Sequence, residues 1–68
     1  MNTQEDTMEI ERLKLYKTAY SVLDKKFVCL LNVYQDSNGI PIIAAYLEDD
    51  LDRNRLVFRE GELTNYCL

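Results

Sequence analysis

Residues 27–47, FVCLLNVYQDSNGIPIIAAYL, contain two apolar runs separated by the tetrapeptide Asp-Ser-Asn-Gly. Asn38-Gly39 is the strongest turn signal in the chain, because tight hairpin turns need positive φ angles that asparagine and glycine tolerate best. The stretch therefore predicts a β-hairpin, with one strand over residues 27–34 and the next over residues 40–47.

The turn allows two strand registers. A two-residue turn pairs Ser37 with Ile40, whereas a three-residue loop with a glycine bulge pairs Asp36 with Ile40. In both registers each face of the hairpin is apolar, which is typical of strands buried on both sides. In the first register, the face that we expect to form an interface carries Val28, Leu30, Tyr34, Ile43, Ala45 and Leu47.

Residues 8–25 have the periodicity of an amphipathic helix that packs on this sheet. At 100° per residue, one half of the helix carries Met8, Leu13, Leu15, Tyr16, Ala19, Tyr20, Val22 and Leu23. Asp6 and Glu9 have the spacing of a capping box, so the helix should begin near Asp6 or Thr7. We expect residues 1–6 to be disordered.

The C-terminal third predicts one further short strand, Leu56–Arg59, which Gly61 ends. The tail, residues 62–68, is compatible with a helical turn, a strand or a strap across the sheet. The chain is thus predicted to be a single small α+β domain, with an N-terminal amphipathic helix on a three-stranded antiparallel sheet.

The alternative fold is a small all-β barrel in which residues 13–22 form a strand. The segment LVFREGEL, residues 56–63, resembles the closing strand of SH3-like barrels. Eight residues of a general pattern do not assign the chain to a family.

The length and composition predict self-association. A chain of 68 residues buries little of its surface and is marginally stable alone, so small domains add disulfides, metals or oligomerisation. Histidine is absent, and Cys29 and Cys67 lie far apart in the sequence. A homodimer is therefore expected. The net charge of −4 argues against a general affinity for nucleic acid.

Motifs for catalysis are missing from the sequence, and the chain is predicted not to be an enzyme and to need no cofactor. Without histidine, Cys29 and Cys67 lack the usual base of a nucleophilic site. Asp50, Asp52 and Asn54 have the opening spacing of a calcium loop. Arginine and glycine stand at the positions where that loop needs glycine and glutamate, so no metal site is predicted.

An acidic rim follows the hairpin and consists of Glu48, Asp49, Asp50 and Asp52. It is interpreted as a solvated connection whose charges are offset by Arg53 and Arg55. As a functional surface, the rim together with Glu60 and Glu62 could imitate nucleic-acid phosphates and block a basic groove.

The favoured function is that of a non-catalytic regulatory protein, a homodimeric adaptor or inhibitor that docks on a partner protein. Five tyrosines support this prediction, since tyrosine is enriched at interfaces. The alternative is a small nucleic-acid-binding regulator that presents Lys14, Lys17 and Lys25 on its helix.

The compartment is predicted to be the cytoplasm. A secreted domain of this size should carry more cysteines, and the N-terminus MNTQEDTMEIE lacks the basic and apolar regions of a signal peptide. The apolar runs are shorter than the roughly 20 residues of a membrane span, so no membrane association is expected.

Overall fold

The computed structural model describes the backbone of residues 3–68 and the side chains of residues 8–68. Its elements are α1 (Thr3–Leu13), β1 (Thr18–Ser21), β2 (Lys26–Gln35), β3 (Pro41–Leu47), β4 (Leu56–Arg59) and β5 (Leu63–Cys67). A single 3-10 turn, Glu60–Glu62, joins β4 to β5. All five strands belong to one sheet in the order β4-β3-β2-β1-β5, and neighbouring strands are antiparallel.

The five-stranded sheet shows that the predicted helix on a three-stranded sheet is wrong, and the SH3-like all-β alternative fits better. The error lies in residues 14–25. Residues 18–21 form β1, in which buried Ala19 and Ser21 alternate with half-buried Thr18 and Tyr20. Because β1 pairs with β2 on one side and with β5 on the other, two ladders of hydrogen bonds outweigh the helical periodicity.

Helix α1 is shorter than predicted and displaced towards the N-terminus. It begins at Thr3, ahead of the predicted start near Asp6 or Thr7, and it ends at Leu13. The proposed cap at Asp6 concerns a side chain outside the described residues. The predicted disorder of residues 1–6 stays a prediction for residues 1 and 2, which also lie outside them, while the backbone of residues 3–6 is helical.

The predicted hairpin is present as β2 and β3, in the second of the two registers. The N–H of Asp36 donates to the Ile40 carbonyl oxygen at 3.0 Å, and the N–H of Gly39 donates to the Asp36 carbonyl oxygen at 3.0 Å. Gly39 has φ +79°, the left-handed conformation that a glycine bulge requires. The loop is therefore a three-residue turn.

A bulge at Leu31 changes which side chains of β2 face the core. Leu30 pairs with Ala45 and Asn32 pairs with Ala44, so Leu31 is an extra residue without a partner. Its side chain is 54% exposed. Because one extra residue reverses the alternation of a strand, Leu30 and Val33 both point to the covered face. The bulge thus places Leu30 and Val33, which are three residues apart, on the same face of the sheet.

The hydrophobic core lies on one face of the sheet, under α1. Its buried members are Ile10, Leu13, Ala19, Val28, Val33, Ile43, Ala45, Phe58 and Leu63. Partly buried side chains pack at its border, namely Tyr16, Leu30, Leu47, Leu56 and Tyr66. Among the helix side chains that the structure describes, Ile10 and Leu13 belong to this core. The tail, for which the sequence allowed three structures, forms the fifth strand, β5. It contributes Leu63 and Tyr66 to the core and its border.

Candidate docking surface on the outer face of the sheet

The face of the sheet opposite the core carries a band of aromatic and aliphatic side chains. We call this band the outer face, and it comprises Tyr20, Phe27, Cys29, Tyr34, Ile42, Tyr46 and Val57. Phe27 is 49% exposed and Val57 is 55% exposed, while the other five are partly buried. The band therefore combines apolar area with open access from one side.

Five of the six predicted interface residues contribute to the protein's own core. Val28, Ile43 and Ala45 are fully buried, and Leu30 and Leu47 pack against them. Tyr34 alone lies on the outer face, since it pairs with Ile42 next to the hairpin loop. Docking by this protein stays a prediction, and the apolar surface that a partner can reach is the opposite side of the hairpin.

The sequence contained one signal that distinguishes the two faces. The covered side of the hairpin has the aliphatic residues Val28, Val33, Ile43 and Ala45, whereas tyrosine and phenylalanine gather on the outer side. Tyrosine places apolar area beside a polar hydroxyl, which suits a surface that is half wet. The type of side chain was therefore more informative than apolar character alone.

Aromatic rings are paired on the outer face at the β1–β2 end. Tyr20 and Phe27 are direct cross-strand partners, and their ring centroids lie 5.1 Å apart at an interplanar angle of 73°. An edge-to-face pair of this kind is worth about 0.5–1.5 kcal/mol beyond its buried area. The contact packs one edge of the exposed aromatic pair together on the outer face.

Three arginines border the outer face on the side of β4. The guanidinium of Arg53 lies 5.4 Å from the centroid of the Tyr46 ring. Arg55 lies 5.8 Å from the centroid of the Tyr34 ring and donates a hydrogen bond of 3.3 Å to its hydroxyl. Arg59 pairs with Ile42 across β3 and β4 and is exposed. Arg53 and Arg55, predicted to offset the acidic rim, thus lie within cation–π distance of tyrosine rings.

The arginines are also free of ion pairs within residues 8–68. The ion pairs in this part of the chain involve Arg12, Lys14 and Lys26. Arg53, Arg55 and Arg59 thus lie on the outer face outside these ion pairs, although Glu62 lines the same depression as Arg59.

A fully buried alanine lies beneath these side chains. Ala44 faces away from the core, between Ile42 and Tyr46 along β3, and is 0% exposed. The Arg55 side chain crosses the position of Ala44 on β3 to reach Tyr34 on β2.

The two cysteines lie on the same side of the sheet as the outer face, separated by one strand. Thr18 of β1 pairs with Cys29 on one side and with Cys67 on the other. Neighbouring strands are about 4.8 Å apart, and the two cysteines are separated by two such spacings. They are therefore too distant for a disulfide. Both thiols are free. An interaction with the Cys29 thiol raises the pKa of Tyr46, its cross-strand partner.

Part of the acidic rim is bonded to other residues of the chain, and part of it is exposed to solvent. Asp50 accepts hydrogen bonds of 3.0 Å from the N–H groups of Asp52 and Asn54, and one of 3.1 Å from the Asn54 amide. These donors, with the Asn54 N–H first, hold the pKa of the Asp50 carboxyl below its usual value. Asp49 pairs with Lys26 at 3.2 Å, and Glu48 is exposed.

The other two acids of the predicted phosphate imitation also have partners inside the chain. Arg12 pairs with Glu60 at 2.9 Å, and Glu62 accepts a hydrogen bond of 2.8 Å from the N–H of Arg59. The imitation of nucleic-acid phosphates stays a prediction. Among the described residues, Glu48 and Asp52 are the acids of this set that have no such contacts.

A polar cluster fastens α1 to the 3-10 turn. Arg12 pairs with Glu9 as well as with Glu60, and it donates to the Tyr16 hydroxyl at 3.3 Å. The Tyr16 and Tyr66 rings lie 5.2 Å apart, and the Tyr66 hydroxyl donates to the Glu60 carbonyl oxygen. Burial raises the pKa of Tyr66 to about 12. The cluster is structural, because it joins the helix to the end of the sheet.

The predicted basic helix face does not form, because α1 ends before the lysines. Lys14 follows the helix, Lys17 precedes β1, and Lys25 lies in the β1–β2 turn with φ +54°.

Two open depressions border the outer face. One of about 220 Å³ is lined by Lys26, Phe27, Glu48 and Asp49, and one of about 180 Å³ by Ile42, Val57, Phe58, Arg59 and Glu62.

Neither depression has the chemistry of a metal site. Among the residues that the structure describes, no group of three His, Cys, Asp or Glu side chains is placed to hold a metal ion. In the same part of the chain, no helix combines the length and apolar character that crossing a membrane requires.

Comparisons with family models, curated proteins and solved structures find no match for this chain.

Proposed function

We propose that the protein is a non-catalytic interaction domain, an adaptor or inhibitor, that docks on a partner protein through its outer face. The observation that supports this proposal is the band of aromatic and aliphatic side chains opposite the core. Contiguous apolar patches on small proteins mark interaction sites more often than scattered apolar residues do.

The composition of the outer face suits a binding hot spot. Tyrosine and arginine are among the residues that contribute most to protein interfaces, and here they are in contact with each other. The two tyrosines, Tyr34 and Tyr46, lie in β2 and β3, and each of these strands is paired with a neighbour on both sides. Their side chains are therefore held in place before a partner binds. A preorganised surface loses less conformational entropy on binding.

The cytoplasm is the proposed compartment. Its support is the pair of free thiols, which one strand separates on the same side of the sheet. Disulfides stabilise small domains in oxidising compartments, and this arrangement cannot form one within the chain.

A displayed library of random 12-residue peptides tests the proposed docking. The immobilised wild-type protein should enrich peptides that the variants Phe27→Ser and Val57→Ser fail to retain. The control Leu51→Ser alters a side chain that is 97% exposed in the loop before β4, and it should retain them. Thermal melting of all three variants would establish that they are folded. Peptides retained equally by all variants would argue against the outer face.

A second copy of the chain is the other occupant predicted from the sequence. Light scattering at several concentrations, with reductant present, separates an 8.0 kDa monomer from a dimer of about twice that mass. A dimer that dissociates on the Phe27→Ser substitution would assign the outer face to self-association. A monomer would leave this face for a foreign partner.

A further inference from the structure

We infer that the second half of β2 binds an extended segment of a partner protein as an additional strand of the sheet. We call this half the open edge of β2, and it comprises residues 31–35 on the side that β1 leaves free. It is a second binding surface, separate from the outer face, and the inference does not depend on docking there. The partner segment is bound through its backbone, with one aliphatic side chain beside Val33.

Strand β1 covers only the first part of β2. The pairs between β1 and β2 end at Cys29, whereas β2 continues to Gln35. The last hydrogen bond on this side joins the Leu30 N–H to the Lys17 carbonyl oxygen at 2.9 Å. On the other side, β3 pairs with β2 as far as Gln35. Within the described part of the chain, residues 31–35 therefore have a neighbouring strand on one side only.

The chain that precedes β1 turns away from the open edge. The N–H groups of residues 14–16 donate to carbonyl oxygens at the end of α1, at distances of 3.0, 3.1 and 3.2 Å. The N–H of Lys17 donates to the Cys67 carbonyl oxygen on the β5 side. These donors are thus used within α1 and towards β5, and none of them extends the ladder along residues 31–35.

The hairpin register determines which backbone groups point to the open edge. The N–H of Asp36 donates to the carbonyl oxygen of Ile40, just before β3. Successive residues of a strand direct their backbone groups to opposite sides, so Tyr34 is directed to β3, and Val33 and Gln35 are directed to the open edge. Val33 and Gln35 each offer one N–H donor and one carbonyl acceptor there. An extended polypeptide has the same repeat of donors and acceptors and can pair with both residues.

A depression lies along the same edge and offers a place for one side chain. It has a volume of about 100 Å³ and is lined by Leu13, Lys14, Tyr16, Leu30, Leu31, Asn32 and Val33. Side chains that are directly opposite each other on paired strands share a face of the sheet, so the partner residue beside Val33 would lie on the covered face, next to Leu13. Most of the lining residues are leucine, valine or tyrosine, which favours an aliphatic side chain at this position.

The two outermost edges of the sheet are less suited to strand addition. At β4, the N–H of Arg59 is already bonded to the Glu62 carboxylate at 2.8 Å. In β5, Asn65 has φ +52°, which interrupts the extended backbone. Charged side chains and irregularities of this kind protect natural sheet edges. Residues 32–35 instead pair regularly with β3, and residues 31–35 include no charged side chain.

A second copy of the chain fits the open edge less well. Two copies related by a two-fold axis would pair β2 with β2 in antiparallel orientation. The hairpin loop of each copy, residues 36–39, would then run into β1 of the other copy, because β1 already occupies the same edge beside residues 26–29. A segment of a foreign protein can turn away after a few residues and so avoids β1.

Amide hydrogen exchange followed by NMR tests whether the edge is open in the free protein. The amides of Val33 and Gln35 should exchange at least about tenfold faster than those of Tyr34 and Asp36, which are bonded in the hairpin. Similar protection of all four amides would overturn the inference, because the edge would then already be paired.

The 12-residue peptide library supplies the partner segment. Gln35→Pro removes an N–H that points to the open edge and keeps the ladder with β3, in which Gln35 lies opposite Pro41. Peptides that the wild type enriches and that Phe27→Ser still retains should bind Gln35→Pro about tenfold more weakly. The control Gln35→Ala loses the side-chain hydrogen bond to the Gly39 carbonyl oxygen but keeps the N–H, and it should bind as the wild type does. Thermal melting establishes that both variants are folded.

A readout on the wild type needs no variant. Adding such a peptide should slow the exchange of the Val33 and Gln35 amides and leave that of Tyr34 unchanged. Peptides that bind Gln35→Pro as tightly as the wild type, or that leave the exchange of Val33 unchanged, would overturn the inference. A selection in which every peptide depends on Phe27 would also overturn it and would leave docking on the outer face standing. A dimer that Gln35→Pro dissociates would replace the partner segment by a second copy.

Discussion

Gly39 is the residue on which the predicted hairpin depends. The Asn-Gly signal correctly located the turn, and the register that forms is the one that places a glycine bulge at this position, with φ +79°. Asp36 completes the turn by accepting hydrogen bonds from the N–H groups of Asn38 and Ile40. These interactions are local in sequence, which explains why the turn could be predicted.

The Gly39→Ala substitution should lower the free energy of unfolding by about 1–2 kcal/mol, because a Cβ atom is unfavourable in the left-handed region. The chain offers a matched control in Gly61, where φ is not in that region and an added Cβ would meet no neighbour. Chemical denaturation of both alanine variants measures the difference. Equal stability losses would contradict the bulge at Gly39.

Asp50 should make the stability of the protein depend on acidic pH. Its pKa is lowered in the folded chain, so its contribution to stability is present above the unfolded pKa of about 4 and is lost as the pH falls through the folded value. The fall in unfolding free energy between about pH 6 and pH 2 should be smaller in Asp50→Asn than in the wild type.

Urea denaturation at a series of pH values measures this slope. Asp52→Asn serves as the control, since the Asp52 side chain is exposed and accepts no hydrogen bond within residues 8–68. A slope reduced by the substitution at Asp52 and unaffected by that at Asp50 would contradict the arrangement of the loop.

The β2–β3 hairpin and β4 could be predicted, whereas the boundary between α1 and β1 could not. Residues 8–25 resemble one helix because Leu13 of α1 and Ala19 of β1, which are both buried, fall on the same half of a helical projection. The strand state of β1 depends on pairing with β2 and with β5, which is more than 40 residues away in the chain. Local periodicity contains no information on these pairings.

The end of α1 can be tested with two leucines. A helix over residues 8–25 would place Leu13 and Leu15 on the same packed half, yet Leu13 is 0% exposed and Leu15 is 66% exposed. Leu13→Ala should destabilise the protein by about 2–5 kcal/mol, as a buried truncation does. Leu15→Ala should change stability by about 0.5 kcal/mol or less. Thermal and chemical unfolding measure both, and similar losses would favour the longer helix.

At the scale of the whole molecule, the sequence indicated two apolar faces without showing which face the chain covers. That choice depends on the bulge at Leu31, which turns Leu30 and Val33 to the same side, and on the position of Leu13 over that side. The face of the sheet that the chain leaves uncovered therefore carries Tyr34 and Tyr46 instead of Val28 and Ile43.

Net charge was equally incomplete as a guide to the surface. The total of −4 conceals three arginines on the side of the sheet where the aromatic residues gather. Summed charge describes the attraction of the whole chain, whereas the arrangement of charge determines what docks on one face.

Methyl NMR during titration with a peptide enriched on the wild-type protein tests docking on the outer face most directly. Ile42 and Ile43 are neighbours in β3 that face opposite sides of the sheet, so each is a control for the other. The methyl signals of Ile42 and Val57 should shift as the peptide binds, and those of Ile43 and Ile10 should stay in place. Shifts at Ile43 and Ile10 with unchanged signals from Ile42 and Val57 would contradict the account.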